Sequence, residues 1–166
     1  MGIGNHMADE LRMEARATRQ VLERLPDDKF DWQPHEKSMK LGALASHIVN
    51  NLGWTGTILG SDELDIATAE FTPEEFHSSA ECVAGFDRAL DKALSELASA
   101  TDEDLFQFWT FRAGDKVFFS EKKIGVLRGF VMNHGIHHRA QLAMYLRLND
   151  VPVPQIYGPS ADEPEM

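Results

Sequence analysis

Near the end of the chain, Ile124, Leu127, Val131, His134, His138, Gln141, Tyr145 and Leu148 recur at alternating steps of three and four. That is the spacing of one face of an α-helix packed against other helices. It predicts a long amphipathic helix from about Ser120 to Leu148. A helix of that length must bury its stripe against partners of similar length, which restricts the fold to a few arrangements.

Three further stretches supply such partners. Met7, Leu11, Ala15, Thr18, Leu22 and Leu25 predict a first helix from Met7 to Leu25, stopped by Pro26, Asp27 and Asp28; residues 1–7 read as irregular. Leu44, His47, Asn51, Trp54 and Ile58 predict a second helix from about Leu41, weakened in its second half by Gly53 and Gly56. Thr72, Pro73, Glu74 and Glu75 read as the N-cap, first-position proline and acidic first turn of a third. Its apolar stripe runs from Phe76 through Val83, Phe86 and Leu90 to Leu97. Phe106–Phe111 and Val117–Phe119, flanking Arg112–Lys116, read as a β-hairpin. A tail with Pro152, Pro154, Pro159 and Pro164 is predicted to be extended. At 166 residues there is room for one domain. The expected fold is all-α: a single four-helix bundle over 1–166 with a short β-hairpin before the last helix.

Composition narrows the partners. A net charge of −11 repels phosphate backbones, so nucleic acid and anionic membrane surfaces are not expected to bind. No window is apolar enough to span a bilayer, and no apolar run follows a basic start. The one cysteine, Cys82, excludes an internal disulfide and a multi-cysteine zinc site. Its expected role is packing, in a protein of the reducing cytoplasm.

The chemistry lies in the histidines. His134 and His138 are four apart on one helical face, with Cβ atoms about 5–6 Å apart, and can converge on one metal ion. His47 offers a third imidazole from the stripe of the second helix. Three core histidines without a metal need partners for every ring nitrogen, and each one left unsatisfied costs about 1–3 kcal/mol. They are therefore either hydrogen-bonded core residues or the ligands of one divalent ion. Three protein ligands leave an exchangeable coordination position, as catalytic rather than structural sites do. Imidazole suits zinc, nickel, copper and iron alike. Asn50, Asn51 and Gln141, near the ligands on their own helices, are candidate substrate-binding or ligand-orienting residues, or simply solvate the mouth of the bundle. His137 lies about 100° around the helix from His138 and reads as a support for a ligand or a subunit contact. His35 and His77 read as surface residues. Walker, Gly-x-Gly-x-x-Gly, His-Glu-x-x-His and Gly-x-Ser-x-Gly motifs are absent. No catalytic acid or base is identifiable.

At these residues the sequence resembles the DinB/YfiT-like family of metal-dependent bundle proteins, over nearly the whole chain. The resemblance rests on Trp32-Gln33-Pro34-His35-Glu36-Lys37-Ser38-Met39, on Leu44-Ala45-Ser46-His47, and on Asn133-His134-Gly135-Ile136-His137-His138-Arg139-Ala140-Gln141-Leu142. Tyr145-Leu146-Arg147, Val151-Pro152 and Tyr157–Glu163 extend it. Ala140 departs from it, standing where the family often has glycine. The resemblance implies a four-helix bundle, a homodimer, and one zinc or nickel ion per chain on His47, His134 and His138. Some relatives are S-transferases using low-molecular-weight thiols; others are thiol-dependent isomerases or hydrolase-like.

Two classes of function follow. One is a metal-dependent transferase, or a related hydrolase, acting on a small-molecule thiol or electrophile, in which the ion holds a thiol or water as its anion. The other is a non-catalytic metal-stabilised dimer module.

Overall fold

The computed structural model describes residues 2–165. Helix α1 spans Ile3–Leu22 and buries Met7, Leu11, Ala15, Thr18 and Leu22 on one face. It begins earlier than the periodicity suggests. The Ile3 backbone N–H donates to Asp102 Oδ1 at 2.7 Å, and Gly4 packs so closely on the Leu97 carbonyl that a Cβ would stand 2.3 Å from its oxygen. Residues 3–7, expected to be irregular, are thus held in the helix by tertiary contacts.

The second predicted helix is two. Helix α2 (Leu41–Asn51) ends before Gly53, and α3 (Trp54–Gly60) restarts at an offset. The third predicted helix starts later than expected. Helix α4 spans Ser79–Ser99, with the Ser78 hydroxyl accepting the Glu81 N–H. Residues 72–77 instead form an extended strap across α2 and α4. The Thr72-Pro73 cap signal loses because the strap has better partners. Phe76 is buried over Gly85, where a Cβ would meet its ring at 2.5 Å. The Phe76 N–H donates to Ser46 Oγ.

Helix α5 (Asp102–Phe106) opens with a reciprocal Thr101–Asp104 capping box. The predicted hairpin is present as β2 (Phe108–Ala113) and β3 (Lys116–Lys122), turned at Gly114 with φ +55° and bulged after Phe111. A third strand, β1 (Glu63–Asp65), pairs parallel to β2, so the sheet is mixed and the chain is not all-α. Arg112 holds β1 in place through Glu63 and Asp65, at 2.7 and 2.8 Å. Strand β3 also claims Ser120–Lys122, which the sequence pattern assigned to the last helix.

That last helix has three parts: α6 (Lys123–Val126), a π-helical turn (Leu127–Asn133) and α7 (His134–Leu148). A π turn carries more residues per turn than an α turn and so shifts the phase of everything after it. The buried face of α7 is Arg139, Leu142, Ala143, Tyr145 and Leu146. Gln141 and Leu148, placed on the core seam by the 3-4 repeat, are exposed.

Helices α1 and α2 each pack against both α4 and α7. Leu22, Leu44, Leu97, Leu142 and Leu146 fill the space between them. The extended tail folds back on this core through ion pairs of Arg147 with Asp162 and of Arg24 with Glu163. Among the described residues, no helix is long and apolar enough to cross a membrane.

Candidate metal centre

His47 sits on the flank of α2, half-buried, because Leu44, Ala45, Ile48 and Val49 occupy the core-facing positions. His134 is the first residue after the π turn, and His138 follows one α turn later. These two also lie at the margin of the core and face α2. The ring nitrogens converge: His47 Nε2 is 3.1 Å from His134 Nε2, which is 2.7 Å from His138 Nε2. One ligand atom from each ring lies within 4.8 Å of the others.

The outer nitrogens decide what the inner ones can do. His138 Nδ1–H donates to Gln141 Oε1 at 2.7 Å. A neutral imidazole has one N–H and one lone pair. With its proton on Nδ1, His138 turns the lone pair of its Nε2 toward His134 Nε2, 2.7 Å away, so that an acceptor faces the middle of the trio. Protonation is opposed: burial, then the neighbouring rings, push His47 and His134 below the ordinary imidazole range, and burial does the same for His138. Neutral rings are the form in which histidine ligates metal, and Gln141 holds the outer N–H of one of them. The residues fit a divalent cation.

The other expected site residues take different places. Asn50 Nδ2 donates to the carbonyls of Ser46 and Glu74, and its Oδ1 accepts the Glu74 N–H. Its amide holds the strap. Asn51 is 2% exposed; its Nδ2 donates to the Val131 carbonyl inside the π turn, and its Oδ1 has no protein partner. Gln141 orients His138 and is otherwise exposed. His137 is exposed, edge-on to His138 with ring centroids 4.9 Å apart, and outside the converging group. His35 accepts the Lys37 N–H within its own loop, and His77 is exposed at the end of the strap. Cys82 is wholly buried, and burial pushes its thiol up to about 12.

A cleft of about 730 Å³ lies beside His47, walled by Met39, Lys40, Trp54 and the strap residues Glu74 and Phe76. The Trp32 loop is anchored to α7 next to it: Trp32 meets Tyr145 edge-on at 5.4 Å, and Tyr145 Oη–H donates to the Met39 carbonyl. One residue escaped functional reading altogether. Arg139, beside His138 in sequence, is 1% exposed and pairs with Glu14 at 2.8 Å. Tyr157 from the tail bridges both, accepting from Arg139 and donating to Glu14. Its signal was its place on the Met132, Gly135, Arg139, Leu142, Leu146 face, visible only once the π turn is known.

The model of the DinB family matches residues 1–166. The chain belongs to the DinB family. This DinB protein is 27% identical over 163 residues to YrdA, an uncharacterized protein of Bacillus subtilis, covering 96% of the chain and 90% of YrdA. Among solved structures, a DinB-like protein of Bacillus cereus shares its fold with a TM-score of 0.70 at 21% identity, covering 90% of this chain and 94% of that one. A second, YjoA of Bacillus subtilis, does so with a TM-score of 0.71 at 17% identity, covering 91% and 96%.

Proposed function

We propose that this DinB protein is a metal-dependent enzyme that activates a small thiol for transfer to an electrophile. The observation that carries the reading is the convergence of the Nε2 atoms of His47, His134 and His138, 3.1 and 2.7 Å apart in turn, with Gln141 holding the lone pair of His138 Nε2 inward. His47, His134 and His138 would hold one divalent ion, zinc or nickel, leaving a position for an exogenous ligand. When bound, such an ion lowers the pKa of a coordinated thiol, so that a thiolate exists at neutral pH.

The chain's own groups do the rest. Gln141 fixes the tautomer of His138. Asn51 ties down the carbonyl of Val131 and so seats the turn that delivers His134. The cleft beside His47 gives the thiol and its partner a walled approach. Cys82, buried and with its pKa raised, is not the nucleophile, so the thiol comes from outside. We further propose that the helices α1, α2–α3, α4 and α7 act as a four-helix bundle, that two chains form a homodimer, and that the protein works in the cytoplasm, where reduced thiols are abundant.

The test is metal content, then turnover. Protein purified without metal resin should carry about one divalent ion per chain, lost in His47→Ala and His138→Ala. Loss of an electrophile should require added thiol. Metal binding with thiol-independent hydrolysis would favour the hydrolase reading, and metal binding without any turnover the structural one.

A further inference from the structure

A second cavity, of about 720 Å³, adjoins the His47 cleft. It is bounded by α2–α3, α4 and the sheet, and its lining is mainly apolar: Val49, Trp54, Leu64, Phe71, Phe76 and Phe111. Its volume is that of a drug-sized ligand site. Ile66 and Phe71, also in its lining, are 47% and 65% exposed. Large apolar side chains grouped around a concave space mark a surface that is covered when in use.

The charges on its wall are divided. The cavity carries two cations one helical turn apart on α4, Arg88 and Lys92, and two carboxylates, Glu70 and Glu74, from the segment leading into and along the strap. Neither is firmly engaged. The carboxylate nearest Arg88 is Glu74, at 3.6 Å, and that nearest Lys92 is Glu96, at 3.8 Å, both beyond hydrogen-bond length. Both side chains are about two-thirds exposed or more, at 66% and 71%. An arginine with unengaged donors at the rim of an apolar cavity matches the planar fork of a carboxylate.

We propose that this cavity binds a small apolar carboxylate, its hydrophobic body against Trp54, Phe76 and Phe111 and its carboxylate at Arg88 and Lys92. The site shares Asn50, Trp54, Phe71, Glu74 and Phe76 with the His47 cleft, so the two spaces adjoin. Its role as the pocket of the electrophile rests on the thiol-transfer reading; its capacity to bind does not.

The probe is 1-anilinonaphthalene-8-sulfonate, an aromatic anion whose fluorescence rises on burial, with decanoate as competitor. Wild-type protein should bind one probe per chain saturably and release it to decanoate. Ala89→Phe, filling the cavity from α4, and Thr57→Phe, filling it from the exposed side of α3, should each weaken binding roughly tenfold or more. Arg88→Gln should weaken the sulfonate probe roughly tenfold but leave uncharged N-phenyl-1-naphthylamine unaffected. His47→Ala should leave binding intact, separating this site from the metal reading. Non-saturable binding, or binding indifferent to both filling variants, overturns the site. Arg88→Gln leaving the sulfonate probe unchanged, or weakening both dyes alike, overturns the carboxylate assignment. Loss in His47→Ala places the probe on the histidines and overturns the proposal as well.

Discussion

Asn50 and Glu74 grip each other twice, side-chain amide to main chain: Asn50 Nδ2 donates to the Glu74 carbonyl at 2.8 Å, and the Glu74 N–H donates to Asn50 Oδ1 at 3.0 Å. The pairing imitates a β-ladder rung and fastens the strap to the turn of α2 that follows His47. Asn50→Ala removes both bonds and is expected to cost about 1–2 kcal/mol. The effect should be local, with limited proteolysis cutting first within residues 70–77. A variant that lost stability with no change in that cleavage would place the role of Asn50 elsewhere.

Gln141 touches the metal centre only through His138. Gln141→Ala is expected to lower metal affinity about tenfold to a hundredfold, as is usual when the group orienting a ligand imidazole is removed. His138→Ala should abolish retention. Competition with a chromophoric chelator measures both, and equal affinity in Gln141→Ala would remove the orienting role.

The three imidazoles set a pH dependence for the chelator-treated protein. All three are pushed below their ordinary value of about 6.5. The unfolded chain therefore takes up protons at these rings before the folded one does. Stability should be full above the ordinary histidine range and fall as pH drops through it, until the folded rings protonate as well. Urea midpoints of wild type and of His134→Gln at pH 7.5 and 5.5 test the sign: the wild type should lose more on acidification.

Arg139 is buried against Glu14, and Arg139→Ala would leave that carboxylate partly buried without its counter-ion, held only by the Tyr157 hydroxyl. Breaking such a pair costs about 3 kcal/mol. Tyr157→Phe removes only the bridging hydroxyl, worth about 1 kcal/mol. Denaturant unfolding should rank the two variants in that order.

The thiol of Cys82, wholly buried and raised to about 12, should not react with an aromatic disulfide reagent in the folded protein. In urea it should react with one equivalent. Rapid labelling under native conditions would reopen its candidacy as a nucleophile.

The histidine trio was legible because His-x-x-x-His is a local pattern and His47 lies on a clear stripe. The hairpin was legible from its alternating aromatics. Strand β1 was not: Glu63, Leu64 and Asp65 show no strand periodicity and are ordered by Arg112, far along the chain. The strap was misread as a helix start because the Thr72-Pro73-Glu74-Glu75 signal is local, while the pull of Asn50, Ser46 and Gly85 on it is not. The cap in use, Ser78 with Glu81 three residues on, was equally visible and lay behind a stronger-looking one. The bonds of Asn50 to the main chain of Ser46 and Glu74 were not legible, because a sequence does not display which backbone groups come near.

The π turn at Leu127–Asn133 makes the final helix a shaft with two independently keyed ends. The first end is indexed to the junction of α5 and β2, through the Lys123 N–H donating to the Gln107 carbonyl. The second is indexed to α1 and α2, through Arg139 on Glu14 and the histidines opposite His47. Removing one residue between them would turn the second end by about 100° against the first. Arg139 and the two histidines would then leave their stations together. A single deletion in a segment that carries none of the three imidazoles would uncouple the candidate metal centre from the core.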